Sequence, residues 1–274
     1  MTKNNRPLLT VGIFGLGTIG REVALALDAG IDGLRLTAVA AGNSERAAQF
    51  CAGLTTDVTV TDAAGMAAIC DVVMECAPAA VFGEIANACI DNGCVFMPLS
   101  VGGLLRHPDL AERAKQSGAR IVVPTGALLG LDAVRAAAEG TIHSARIVTR
   151  KPPRGLAGAP YLEKHGIDVS ALTEPLKVFE GSARDGVAGF PANVNVSAAL
   201  SLAGIGPDRT ELQIWADPGV DRNKHRIEIE ADSARFTMEI ENVPTESNPA
   251  TGKITALSAI ACLRGFAGTF RVGS

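Results

Sequence analysis

The chain has 274 residues, is 47% hydrophobic and 20% charged, and carries a net charge of −4. That length suits one large or two small domains with a substantial core. The charge gives no general attraction to nucleic acid or anionic membrane, and no apolar run reaches the length of a bilayer span. The polar start MTKNNRP lacks the apolar region of a signal peptide, so a cytoplasmic protein is expected. Six cysteines show no CxxC and no Cys/His cluster at zinc spacing. They read as buried free thiols, and no metal is expected.

In chain order, an apolar run over 8–14 flows into Gly15-x-Gly17-x-x-Gly20 and then into a helical pattern. Gly15 allows a tight strand-to-helix turn, Gly17 a close approach to a pyrophosphate, and Gly20 close helix–sheet packing. The helix N-terminus then faces the anion, with Thr18 and Ile19 as further contacts. Strands are expected at 35–41, 58–60, 71–76, 94–98 and 120–123, with helices at 19–29, 44–52, 62–68, 79–91 and 108–117. Short Val/Ile-rich strands alternating with helices predict an α/β fold, a doubly wound parallel sheet of Rossmann type over residues 1–124. After the second strand the chain reads Ala41-Gly42-Asn43-Ser44-Glu45-Arg46, without the carboxylate that NAD-selective sites often place at that tip. Asn43, Ser44 and Arg46 suit a 2′-phosphate, although Ser44 is equally an ordinary helix cap. NAD and NADP both stay open. Ala77 and Pro78, after the 71–76 strand, complete the cofactor candidates of this half.

The second half changes character. Residues 143–150, 210–217, 225–231 and 234–241 alternate polar and apolar, the pattern of a half-solvated, mixed or antiparallel sheet in a smaller α+β domain over 125–244. Residues 231–234 read as a hairpin connection. Helices are expected at 173–181 and 193–203, and a last one at about 249–265 opens on Asn248-Pro249. The segment 245–274 is expected to pack back on the first domain.

Chemistry in this half centres on His225. In His225-Arg226-Ile227-Glu228-Ile229-Glu230 the period of two puts the imidazole on the face of Ile227 and Ile229. That placement suits an acid or base, and equally a structural histidine. Arg150, Lys151 and Arg154 lie in a proline-stiffened segment and suit a substrate carboxylate, unless they are only a solvated loop. Lys224 is added as a substrate candidate. Asn193 and Asn195 offer carboxamides at a helix mouth. Residues 125–130 lie where backbone amides at a strand's carboxyl end face a cofactor.

Taken in order, GLGTIG, PLSVGGL (98–104), PTGALLGLD (124–132), TRKPP (149–153), FPANVNV (190–196), DPGVDRNKHRIEIE (217–230) and residues 241–264 resemble the aspartate dehydrogenase family over almost the whole chain. The resemblance implies oxidation of L-aspartate to iminoaspartate with NAD or NADP. Release to oxaloacetate and ammonia, or use in nicotinamide cofactor biosynthesis, would follow. It implies His225 as the catalytic histidine, Ala127 and Asn195 as cofactor contacts, and a homodimer. Two alternatives stand beside it. One is a related dehydrogenase or reductase acting on homoserine, dihydrodipicolinate or a semialdehyde, the last needing a nucleophilic cysteine. The other is a non-catalytic NAD(P)H sensor.

Overall fold

The computed structural model describes residues 8–191, 194–246, 248 and 251–273. The chain forms two compact units, one running to Pro124 and resuming at Ala256, the other covering Thr125–Thr255.

The first unit is built from β1 (Leu9–Phe14), α1 (Thr18–Asp28), β2 (Leu34–Ala40), α2 (Ser44–Cys51), β3 (Thr59–Val60), α3 (Ala63–Ile69), β4 (Val72–Glu75), α4 (Phe82–Asp91), β5 (Val95–Pro98), α5 (Gly102–Arg106), α6 (Leu110–Ser117) and β6 (Arg120–Ile121). Its six strands are all parallel, in the order β3-β2-β1-β4-β5-β6, the doubly wound arrangement expected from the sequence. Parallel strands need helical crossovers, so both sheet faces are covered and the central strands β1 and β4 are largely buried and mostly apolar. One core joins Val11, Ile13, Leu36 and Met74 with Val23 and Leu27 of α1. Ala256, Ala259 and Leu263 belong to that same core. The other gathers Ala38, Val73 and Phe96 with Met66, Phe82, Ile85 and Leu110.

The second unit contains α7 (Leu131–Ala138), β7 (Ile142–Lys151), α8 (Pro160–His165), β8 (Leu176–Ser182), α9 (Ala183–Gly189), α10 (Asn195–Ala203), β9 (Thr210–Ala216), β10 (Asn223–Ala231) and β11 (Arg235–Asn242). The last helix, α11 (Ile254–Ala267), begins in this unit and continues into the first. The five strands are ordered β11-β10-β7-β9-β8, with β7 and β9 parallel and every other pair antiparallel, so the sheet is mixed. The expected hairpin closes as Ala231 N–H donates to Ala234 O at 2.9 Å.

Two expectations are corrected. Residues 173–181 do not form a helix, since Leu176–Ser182 is strand β8. Its register slips between Lys177 and Phe179, so two successive residues, Val178 and Phe179, are both buried. Such a bulge erases the two-residue period by which a strand is recognised. The last helix starts at Ile254 rather than near 249, because Pro244 and Gly252 first pair in an antiparallel bridge. Pro249 lies outside the described residues.

Ile147, fully buried in β7, holds the middle of the second sheet. Ile147→Ala is expected to cost about 2–5 kcal/mol in urea unfolding, the range for truncating a well-packed core residue. A loss under about 1 kcal/mol would show that β7 is not central to this unit's stability.

Candidate active site

The glycine loop joins β1 to α1. Gly15 has φ +110°, and a Cβ there would lie 2.5 Å from the carbonyl oxygen of Cys76. A Cβ on Gly20 would lie 1.8 Å from Gly15 O. Both glycines are therefore required by the protein's own packing. Gly17 is different, because a Cβ there would meet nothing within 4 Å. The open approach at Gly17 fits a bound group rather than a neighbouring strand. Gly17 caps α1 without a side-chain bond, and the first turn carries no acidic residue. Amide N–H groups of such a turn, with the helix dipole behind them, suit a pyrophosphate. The residues present therefore fit a dinucleotide, with Thr18, Ile19 and Gly20 opening the helix that would face it.

Two buried groups set the neighbouring loops. Cys76 Sγ donates to Gly15 O at 3.0 Å, and burial raises its pKa, so it is a thiol donor and not a nucleophile. Glu75, fully buried at the end of β4, accepts from Ala77 N (2.9 Å), Ser100 N (3.1 Å) and Ser100 Oγ (2.8 Å). Burial raises its pKa while these bonds oppose the shift. The carboxylate thus ties Ala77, beside Pro78, to the loop after β5. Asn43 is the cap of α2, its Oδ1 accepting from Arg46 N at 2.8 Å, and Ser44 is exposed beside it.

The second unit gathers a polar group inside its sheet. In the β7–β10 register His225 stands opposite Thr149, and such directly opposed residues share a face. Lys151, two residues beyond Thr149, lies on that face too. All three are buried, at 2%, 1% and 6% exposure for His225, Thr149 and Lys151. Thr149 Oγ1 and His225 Nδ1 are hydrogen-bonded at 3.0 Å. Burial, and secondarily the charge of Lys151, pulls the His225 pKa down to about 3. Burial alone pulls Lys151 down to about 8. The imidazole is therefore neutral at ordinary pH, and the amine titrates just above neutrality.

The other expected substrate cations are not brought together with these. Arg150 alternates to the opposite face of β7. There its Nη1 meets Asp217 Oδ2 at 3.0 Å and its guanidinium lies 4.7 Å from the Trp215 ring centroid. Lys224, paired with Arg150 in register, shares that outer face and binds Glu241 at 2.5 Å. Asn193 lies outside the described residues. Asn195 is the first residue of α10 and half-buried. The Ala127 carbonyl accepts from Asn242 Nδ2 at 3.0 Å, while Asn242 Oδ1 is buried without a partner among the described residues. Of the other histidines, His107 stacks on Phe82 and the Nδ1–H of His165 donates to Tyr161 O. Thr149, Ser100 and Asn242 lie in segments that carry the family resemblance, but nothing in the residue pattern marks them individually, because each meets a partner distant along the chain. Among the described residues no group of three His, Cys, Asp or Glu side chains could hold a metal, and no helix is long and apolar enough to cross a membrane.

A Rossmann sheet with an anion-ready glycine loop, joined in one chain to a unit holding a buried basic pair, defines a nicotinamide-dinucleotide-dependent oxidoreductase. Residues 15–124 match the family described as homoserine dehydrogenase, NAD binding domain, and residues 132–266 match aspartate dehydrogenase, C-terminal. The chain belongs to the aspartate dehydrogenase family. It is 54% identical to L-aspartate dehydrogenase of Bradyrhizobium diazoefficiens, over 97% of this chain and 94% of that protein. L-aspartate dehydrogenase 3 of Bordetella bronchiseptica is 50% identical, over 99% and 100% respectively. The crystal structure of aspartate dehydrogenase from Thermotoga maritima shares the fold, with a TM-score of 0.75 at 24% identity over 97% of this chain and 99% of that one.

Two outcomes test the site's construction. Gly17→Ala should weaken dinucleotide binding with Tm nearly unchanged, whereas Gly20→Ala should lower Tm, because its Cβ meets backbone; the reverse pattern in calorimetry and NADH titration would refute this division. The pH dependence follows from His225, neutral in the folded state down to about pH 3 but protonating near 6.5 when unfolded. The unfolded state binds the extra proton, so stability should fall as pH drops from 6.5 toward 3. His225→Gln should flatten that slope in denaturant titrations.

Proposed function

We propose that this chain oxidises L-aspartate to iminoaspartate, with NAD or NADP as acceptor. The observation that carries the chemistry is the buried Thr149–His225–Lys151 set. The substrate's identity is supported by the relatives' names. When bound, the dinucleotide supplies the two-electron acceptor that takes the Cα hydrogen as hydride. Gly15, Gly17, Thr18, Ile19 and Gly20 would hold its pyrophosphate, with Asn43, Ser44, Ala77, Pro78, Ala127 and Asn195 as further contacts.

The proton chemistry belongs to the second unit. A C=N bond can form only when the substrate nitrogen has a lone pair, so the aspartate ammonium must first lose a proton. Lys151 Nζ, with its pKa drawn to about 8, is matched to take that proton in mildly alkaline solution. Thr149 occupies His225 Nδ1, which leaves Nε2 to meet the reacting groups. There the neutral imidazole accepts a hydrogen bond from the water that attacks the imine carbon. Hydrolysis yields oxaloacetate and ammonia, while unhydrolysed iminoaspartate is available to nicotinamide cofactor biosynthesis. The chain is proposed to work in the cytoplasm as a homodimer, which the half-exposed outer face of the second sheet, with Trp215 and Arg150, would support.

Reduced-cofactor formation with L-aspartate, against a panel of amino and hydroxy acids, tests the substrate; turnover of another acid in preference to aspartate would overturn it. His225→Ala should lose about 10²–10⁴-fold in turnover while still binding NADPH. Lys151→Arg keeps the charge but cannot act as a base near pH 8, so it should lose about 10²-fold or more. In the parent enzyme kcat/KM should rise as pH increases through about 8, where Lys151 deprotonates. Wild-type rates in Lys151→Arg with that rise intact would remove Lys151 from the proton path.

A further inference from the structure

In a Rossmann unit the adenosine ribose of the dinucleotide meets the end of the second strand, where an acidic residue bonds its hydroxyls or an arginine accepts a 2′-phosphate. Here β2 ends at Ala40, and Ala41, Gly42 and Asn43 follow without a carboxylate. Asn43 Oδ1 is already committed to capping α2. Arg46, in the first turn of α2, is exposed. Phe50 follows one turn later on the same side of the helix, about 5–6 Å away between Cβ atoms. Glu45 is the adjacent acidic residue, but neighbours in sequence do not face each other on a helix.

A second cation reaches this place from α1. Arg21 Nε donates to Leu16 O at 2.9 Å, within the glycine loop. Its guanidinium carbon lies 5.5 Å from the Phe50 ring centroid. Its Nε is thus pinned to the loop with the guanidinium over the ring face, and among the described residues neither terminal nitrogen has a hydrogen-bond partner. Neither Arg21 nor Arg46 forms an ion pair among the described residues. Two unneutralised guanidiniums, one of them held in place, beside a strand tip without an acid form a favourable seat for a dianion.

We infer that Arg21, held over the Phe50 ring, and Arg46 seat the 2′-phosphate of NADP and make the chain prefer NADP to NAD. This rests on the dinucleotide reading of the glycine loop and is independent of which amino acid is oxidised.

The test is binding to the full chain without substrate. NADPH and NADH are titrated by nicotinamide fluorescence, with 2′,5′-ADP and 5′-AMP as competitors. NADPH should bind about 10-fold or more tightly than NADH, the scale of one charge-assisted pair. 2′,5′-ADP should displace it at correspondingly lower concentration than 5′-AMP. Arg21→Ala and Arg46→Ala, on separate helices, should each cut the NADPH-to-NADH affinity ratio about 10-fold. Equal affinity for the two dinucleotides, or ratios unchanged in both variants, overturns the inference. Binding of neither dinucleotide overturns it together with the glycine-loop reading. Should one variant fail to fold, the other and the competitor series on the parent chain still decide.

Discussion

At the start of α1 two backbone segments approach more closely than any side chain permits. Gly20 packs on the carbonyl of Gly15, and Gly15 on the carbonyl of Cys76, so β1, α1 and the end of β4 meet as bare main chain. The remainder of the first unit follows from that contact. It brings the first turn of α1 to the carboxyl edge of a parallel sheet, where helix amides are without acidic neighbours. It also forces polar groups inward at the end of β4, and each is answered. The Glu75 carboxylate takes three donors and the Cys76 thiol gives one bond. Buried polarity satisfied in this way fixes loops instead of loosening them.

The second unit obeys a different constraint, the two-residue alternation of a strand. One stretch of β7 sends Thr149 and Lys151 inward and Arg150 outward. The inward face becomes a dry place where an imidazole stays neutral and an amine has its pKa lowered. On the outward face Arg150 pairs with the buried carboxylate of Asp217, while Lys224 and Glu241 form a solvent-exposed ion pair of the kind that contributes little to stability. Two environments only one residue apart therefore divide the cations of a single basic segment into chemically distinct groups.

Much of the first unit was legible because its signals are local. Continuous apolar strands, alternating helices and three glycines at fixed spacing all sit within short windows. The inward placement of His225 was equally readable from Ile227 and Ile229. What escaped depended on pairing. The β8 bulge hid a strand, because Val178 and Phe179 both turn inward. The run Arg150-Lys151-Pro152-Pro153-Arg154 reads as a single basic cluster until β7 separates its members. Thr149 acquires its role only when β10, 76 residues away, is laid beside β7 in register. Arg21 looks like any solvated helix residue until Phe50 of the next helix lies under it.

Trp215 is the chain's only tryptophan. It lies beneath Arg150 and within 6.0 Å of Lys177, on the outer side of the same sheet. Its indole senses the position of the guanidinium above it, since a cation over the ring perturbs the π system directly. Arg150 and Lys151 are consecutive, so any shift of β7 that accompanies events at the buried amine must also carry that guanidinium. The protein thus holds an intrinsic optical probe, unmixed with other indole emission, that reports on its inner face from its outer one.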